Sequence, residues 1–496
     1  VTWTGEPSCS SARELLEAKN AVTAIDDLRD QLRTGAVSLE VCRRLGEYSR
    51  SLGDCELARQ CYSLAIDCAP AEEVPRSCLQ LGSLLCEMSR APEAVEHLLR
   101  AVAEGGLSGP EYLTAGAGLA RAGEDRKAIV ALARSLEREQ SARAWTELGA
   151  CLFRINDIAS AEACYREALI CDPGYAAAHA NLGIVLLYLG RYAEGFREYD
   201  WRTETQSYYR IEGFQAPRWH GEPLAGKTIL LHAEQGLGDT IQFLRFVPMV
   251  AAQGARVLLV VQSRLNELAA GYPGVSRCLH VGEQAPPADF HSPLMSLPLV
   301  LGASLETIPA VDPAAFAGYV APLDPSPPSG RLQVGLVWAG SPAHPADKHR
   351  SIPLSSFYKL AKIQHRVSFV SLQHGPATGD LANRTMPLVI RDACSGDKNF
   401  ADSARVVAGL DLVITVDTSM AHLAGSMGKP VWTLLGPVPE WRWGAAGETT
   451  PWYPSMRLFR TEGEAGWAPV IDRIAEALEL FVNDRHQSEP LPCRAS

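Results

Sequence analysis

Two periodicities divide the chain. Up to about Trp201, apolar residues recur at the three- and four-residue spacing of helices; beyond it, short aliphatic runs alternate with helical stretches. The first part also repeats itself. A Leu-Gly or Ala-Gly pair returns at Gly46, Gly82, Gly116, Gly149 and Gly183, at intervals of 33 to 36 residues. Twelve residues after each glycine stands a small residue (Ala58, Ala94, Ala128, Ala161, Gly195), and four further a large one (Tyr62, Leu98, Leu132, Tyr165, Tyr199). Three positions on, four units carry Ala65, Ala101, Ser135 and Ala168, and the fifth carries Arg202. Small residues let two helices of a hairpin approach closely, while the large ones fill the groove beside them. One hairpin cannot bury its apolar face alone, so the units must stack. Pro70 and Pro173 close two units where a helix should stop. The pattern predicts an α-solenoid over residues 37–202, with a capping helix at about 11–33.

After Trp201 the pattern becomes β-α-β. Strands are predicted at Thr228–His232 and Ala255–Gln262, with a helix from Thr240 to about Ala252 between them, which implies a parallel sheet. A proline-rich stretch at 321–330 reads as a linker. Strands then follow at Val334–Trp338, Val367–Leu372, Leu388–Ile390, Leu412–Val416 and Val431–Leu435, with helices at 353–364, 400–409, 419–427 and 467–482. The resulting plan is a repeat array over 1–205, one Rossmann-like half over 206–328 and a second over 329–496. A ligand is expected in the cleft at the C-terminal ends of the strands.

Three segments in those positions carry chemistry. Glu234-Gln-Gly-Leu-Gly-Asp-Thr240 joins a strand to a helix. Gly236 and Gly238 permit a tight turn and close approach by a ligand, and Asp239 reads either as a helix N-cap or as a general base facing the cleft. A dinucleotide fingerprint would need glycine at 241, where Ile241 stands. Next, the loop from Trp338 to Ser351 presents Lys348 and Arg350, two cations suited to a diphosphate, together with Gly340, Ser341, His344 and His349. Finally, in the stretch Asp411 to Pro430 a buried strand ends at Asp417 and a helix begins near Ser419. Thr418, Ser419 and the free N–H groups there form a phosphate site.

Composition narrows the classes. A net charge of −11 argues against a general nucleic-acid binder. No run of 18 apolar residues predicts a membrane span, and residues 1–15 lack the pattern of a signal peptide. Of the 13 cysteines, ten lie at or before Cys171, mostly on helical patterns, and read as small buried hydrophobes in a reducing cytoplasm.

The 34-residue pattern resembles the tetratricopeptide repeat, with Trp145 in that motif's early tryptophan position. The Gly-Leu-Gly-Asp turn, the Lys-His-Arg-Ser loop and the Val-Asp-Thr-Ser-Met-Ala-His-Leu-Ala-Gly segment resemble glycosyltransferase family 9, the ADP-heptose:lipopolysaccharide heptosyltransferase-like enzymes of the GT-B fold. The tail, with Trp441-Arg-Trp443 and Pro451 to Arg460, resembles the tetratricopeptide-containing bacterial branch. The resemblance covers roughly residues 220–483. It implies Asp239 as catalytic base, Lys348 with Arg350 as phosphate ligands, and Asp417 with Thr418 as donor ligands. Gly236, Gly238, Gln373, Ser419 and His422 complete the expected donor site. The implied reaction is transfer of a sugar from a nucleotide-sugar co-substrate to a hydroxyl, with inversion. No cofactor or metal is expected, because the fixed cations replace one and the chain has no Asp-x-Asp pair. The array implies a protein acceptor such as Ser/Thr of a flagellin or adhesin. A lipopolysaccharide or capsule glycan acceptor, and a non-catalytic scaffold with a degenerate transferase half, are the alternatives.

Overall fold

The structure is a computed structural model, and it describes residues 38–205, 208, 216–319, 331–344, 346–463 and 466–488. The expected capping helix at 11–33 and the linker at 321–330 lie outside the described residues. The chain divides into two compact units, Val1–Leu182 and Gly183–Ser496.

The first unit is a run of helical hairpins: α1 (Leu39–Ser51) with α2 (Cys55–Cys68), α3 (Val74–Glu87) with α4 (Ala91–Glu104), α5 (Gly109–Arg121) with α6 (Asp125–Arg138), and α7 (Ala142–Arg154) with α8 (Ile158–Cys171). The repeated glycines act as the sequence requires. A Cβ on Gly46 would lie 2.5 Å from the Tyr62 ring, on Gly82 2.7 Å from Leu98, on Gly116 2.6 Å from Leu132, and on Gly149 2.8 Å from Tyr165. Each glycine thus receives the large residue of its own hairpin, and any side chain there would push the helices apart. Helix starts are fixed locally. Asp54 accepts the Leu57 N–H at 3.0 Å and Asp157 that of Ser160 at 3.2 Å, while Ser108 and Glu111 form a capping box. Six of the eleven described cysteines are buried and none is disulfide-bonded. Burial pushes the thiols of Cys61 and Cys151 up to about 12, as expected of small packing residues.

The second unit contains α9 (Ala176–Tyr188) from Gly183 onward, then α10 (Tyr192–Tyr199), a 3-10 turn at Asp200–Glu204 and two parallel sheets. The first sheet has the order β3-β2-β1-β4, built from β1 (Thr228–His232), β2 (Arg256–Val261), β3 (Val275–His280) and β4 (Phe290–Pro293). The second has the order β10-β9-β8-β5-β6-β7, from β5 (Leu332–Val337), β6 (Val367–Ser371), β7 (Ile390–Asp392), β8 (Leu412–Val416), β9 (Val431–Leu435) and β10 (Met456–Arg460). Fully buried strands such as β8 and β9 are mostly apolar, broken only by Thr415 and Thr433, as parallel strands covered on both faces are. An α-solenoid followed by two Rossmann-like parallel halves is the expected architecture.

Two differences have physical causes. The helix expected over Thr240–Ala252 begins at Leu237 and is broken into α11 (Leu237–Phe243), a 3-10 turn at Leu244–Phe246 and α12 (Val247–Ala251); α13 (Asn266–Ala270), α14 (Leu297–Val300) and α16 (Phe400–Ala408) follow along the chain. Pro248, which has no N–H to give, sits in the first turn of the second piece. The helix expected over 353–364 is a 3-10 helix, Leu354–Ile363, with Leu354, Phe357, Leu360 and Ile363 buried. Those apolar residues fall every third position, the repeat of a 3-10 helix rather than an α-helix.

Candidate active site

In the second sheet, β5 sits between β6 and β8, so the chain leaves β5 toward one side and returns as β8 on the other. Loops diverge at such a switch and open a crevice. A cavity of about 690 Å³ lies there, walled on one side by residues 235–239 and Arg264 and on the other by the loops after β5, β6, β8 and β9. Gly236, Gly238, Asp239, Arg350, Gln373, Asp417, Thr418, Ser419 and His422 all line it.

Gly236 is the N-cap of α11. Asp239, three residues in, accepts its N–H at 2.7 Å. Asp239 is therefore not the N-cap residue; it reaches back from the first turn to the N-cap N–H, and Gly236 has no side chain to return the bond. Its other carboxylate oxygen pairs with the Arg442 guanidinium. Arg442 is buried and also donates to Gln242 and, at 3.2 Å, to Glu440. Gly238 serves a neighbour rather than an open turn. A Cβ there would lie 2.7 Å from the His422 ring, so its bareness lets α11 pack on α17 (Ser419–Ser426).

Arg350 ends the short helix α15 (Asp347–Arg350) and donates to the Asp417 carbonyl at 3.2 Å. Gly340 leaves the space it occupies: a Cβ there would lie 2.7 Å from the guanidinium. Lys348, on the same helix, is exposed and does not line the cavity, so of the two expected phosphate cations only Arg350 faces it. Asp417 closes β8 with 8% of its surface exposed. Burial, reinforced by the charge of Glu440, pushes its carboxyl up to about 6 against the opposing pull of Arg350 and Arg442. Thr418 caps α17, and its hydroxyl meets that of Thr415 at 3.1 Å. His422 is buried, stacks on Trp443 at 5.2 Å and shares a 2.9 Å hydrogen bond with the Tyr453 hydroxyl; burial holds its imidazole well below the usual range.

Gln373 has a different part from the expected donor contact. Its side-chain oxygen accepts the N–H groups of Trp338 (3.1 Å) and Ala339 (3.0 Å), and its nitrogen donates to the carbonyls of Ala339 (2.9 Å) and His374 (2.8 Å). With two bonds accepted and two donated, the amide has no capacity left and braces the β5 and β6 loops together. Beside it, His374 shares a 3.1 Å bond with Ser403, which donates to Asp397 at 2.7 Å. The other ring nitrogen lies 3.3 Å from Arg264. His374, Cys394 and Asp397 have ligand atoms within 4.8 Å of one another, but Ser403 already bridges the histidine and the aspartate, which reads as a hydrogen-bonded relay.

Arg264, His374, Glu440 and Arg442 were not legible as site residues. Arg442 lies between Trp441 and Trp443, and a cation between two large aromatics was the one available signal.

Residues 362–465 match Glycosyltransferase family 9 (heptosyltransferase), and residues 122–219 match the middle TPR-like domain of cilia and flagella-associated protein 70. Protein FlbA of Caulobacter vibrioides is 29% identical over 439 residues, covering 81% of this chain and 72% of its own. Among solved structures, the E. coli ADP-heptose lps heptosyltransferase II is 16% identical, with a TM-score of 0.37, covering 52% of this chain and 99% of its own. YrrB, a TPR protein with an unusual peptide-binding site, is 18% identical, with a TM-score of 0.31, covering 38% of this chain and 93% of its own. The protein is a glycosyltransferase. It carries a family 9 domain in its second unit and a tetratricopeptide-like helical array before it. Among the described residues, no helix is long and apolar enough to cross a membrane.

Proposed function

We propose that the second unit transfers a sugar from a nucleotide-sugar to a hydroxyl of a protein, with inversion and without a metal. The observation that carries this reading is the convergence of Asp239, Asp417, Arg350 and the start of α17 on one 690 Å³ cavity. An acceptor hydroxyl is a poor nucleophile at neutral pH, and a carboxylate at the cavity wall takes its proton as the new bond to the anomeric carbon forms. Asp239 has that role. It is held by the Gly236 N–H on one oxygen and Arg442 on the other, so attack requires the incoming hydroxyl to share or displace one of these partners.

The departing nucleoside diphosphate gains negative charge. Arg350 and the N-terminal end of α17 meet it with fixed positive potential, the part a divalent ion has in other transferases. Asp417, Thr418 and Ser419 contact the donor beside them. The repeat array supports a protein acceptor, because stacked hairpins offer a surface on which a polypeptide can lie. Ser/Thr of a flagellin or adhesin is the acceptor class we favour.

Arg350→Ala tests the donor site. It is expected to weaken nucleoside diphosphate binding by about 10–100-fold, the worth of a charge-assisted bond, while Lys348→Ala changes it by less than about threefold. Calorimetry with a panel of nucleoside diphosphates and with CMP, each with and without EDTA, reads both effects. If Lys348→Ala is the damaging variant, or EDTA abolishes binding and Mg²⁺ restores it, the assignment fails.

A further inference from the structure

The fifth repeat breaks its own pattern at Arg202, where four earlier units hold Ala or Ser. A charged side chain there has no use in stacking hairpins, and burying it without partners would be strongly unfavourable. Arg202 is 5% exposed and fully engaged. Its guanidinium grips Glu234 with two parallel bonds, Nε to Oε2 at 3.0 Å and Nη2 to Oε1 at 2.6 Å, and also donates to Ser296 at 2.9 Å. It stacks on the Tyr199 ring at 4.8 Å. Glu234 accepts the Met295 N–H at 3.2 Å as well.

The next residue, Gln235, lines the cavity and donates to the Tyr199 hydroxyl at 2.9 Å. Its carbonyl accepts from Gln262 at 2.8 Å, and Gln262 in turn accepts from Thr240 on α11 at 2.9 Å. The two residues that lead into Gly236 are thus fixed by side chains from α10 and the turn after it. On the other flank, Arg442 holds Asp239, and its neighbour Trp441 packs against Tyr192, Phe196 and Tyr199 with ring centroids 6.0–6.4 Å apart. The Trp452 indole N–H donates to the Tyr192 hydroxyl at 3.2 Å.

We propose that the last helix of the repeat pattern, α10 with the turn Asp200–Glu204, is a positioning element of the active site: Tyr199 and Arg202 set the loop 234–239 and through it the Asp239 carboxylate. This rests on the reading of Asp239 as the base. Tyr199 and Arg202 are positioning residues, acting through Gln235 and Glu234. The geometry accounts for the unit boundary falling before α10 rather than at Trp201, where the sequence periodicity changes. It also gives the transferase a built-in dependence on a helix that is, by sequence, part of the array.

The test uses the full chain and the variants Tyr199→Phe, Arg202→Lys, Arg202→Met and Asp239→Asn. For each, kcat, donor KM, nucleoside diphosphate Kd and melting temperature are measured. Tyr199→Phe should lower kcat by about 3–10-fold and Arg202→Met by about 10²-fold, the scale of a small misplacement of a catalytic group. Donor KM and diphosphate Kd should stay within about twofold in both, since the donor loops are untouched. Arg202→Lys should restore part of the kcat lost in Arg202→Met. Should Arg202→Met fail to fold, Tyr199→Phe decides. Wild-type kcat in both Tyr199→Phe and Arg202→Lys, with Asp239→Asn inactive, would overturn the positioning role alone. A kcat loss matched by equal losses in donor affinity and melting temperature would overturn it too, reducing the segment to a structural support. Wild-type turnover in Asp239→Asn would instead remove the base reading.

Discussion

The two units differ most in what they bury. Among the described residues of the array, the buried polar side chains are Ser49, Ser77, Ser135 and Thr146, all neutral hydroxyls. The second unit buries Arg202, Arg245, Arg442, Asp417, His232, His422, Gln242 and Gln373. Hydroxyls cost little to bury when they bond a nearby carbonyl, as Ser49 does to Leu45 at 2.7 Å. Buried charges cost much more and persist where they are paired and put to use. The array is therefore built for stacking, with its charges in surface pairs such as Arg50–Glu87 and Arg76–Glu111. The second unit sacrifices stability to hold charges at a cavity, as functional sites do.

Removing the array should separate the two units most clearly. A chain beginning near Tyr175, which keeps α9 and α10, is expected to bind nucleotide as the full chain does. It should lose transfer to the proposed protein acceptor by at least about 10²-fold, because a tethered acceptor becomes a free one. A pull-down paired with calorimetry separates the two functions. Full-rate modification by the shortened chain would reduce the array to a scaffold.

Asp417 gives the next test. Its carboxyl titrates near 6 in the folded protein, above the ordinary 3.8, so the native state binds this proton more tightly than the unfolded chain does. Its contribution is thus most favourable at low pH and is lost as pH rises from about 4 through about 6. Asp417→Asn, which stays neutral, should exceed wild-type stability by up to about 2–3 kcal/mol at pH 8 and converge with it near pH 4. It should bind donor more weakly at the same time. Urea unfolding at both pH values checks the first half, and a difference of the opposite sign would show that Asp417 is better stabilised as an anion than its burial implies.

The smallest effect belongs to the array. Gly116→Val places methyl groups where Leu132 already sits, and should destabilise the first unit by about 1–3 kcal/mol while leaving nucleotide affinity unchanged. Two-probe denaturation, with circular dichroism for the helices and bound nucleotide for the cavity, reads the two separately.

The same contrast explains what could be read from the chain. In the array, each glycine meets a residue of its own hairpin, as Gly82 meets Leu98, so the contact repeats along the sequence and shows as a period. Buried strands such as Leu412–Val416 show as mostly apolar runs because both faces are covered. The cavity has no such period. Arg442 reaches Asp239 across 203 residues, and nothing near Trp441 in sequence points to the Gly236 turn. The loop cations Lys348 and Arg350 look alike in sequence, yet the one-turn helix α15 sends one to the cavity and the other to solvent. Gln373 was legible as a strand-end residue in the cavity, but its four-bond brace depends on the Trp338–Ala339 backbone, 34 and 35 residues away.

In the proposed reaction Asp239 removes the acceptor proton in a cavity whose donor contacts lie elsewhere. Single-turnover transfer by Asp239→Asn at saturating nucleotide-sugar tests it most directly, because Asn keeps the size of the side chain and its oxygen can still accept the Gly236 N–H. The expected rate is lower by about 10²–10⁴-fold, with diphosphate Kd unchanged within about twofold. A near-normal rate would overturn this role and leave Asp239 as a helix-start residue that accepts the Gly236 N–H and pairs with Arg442.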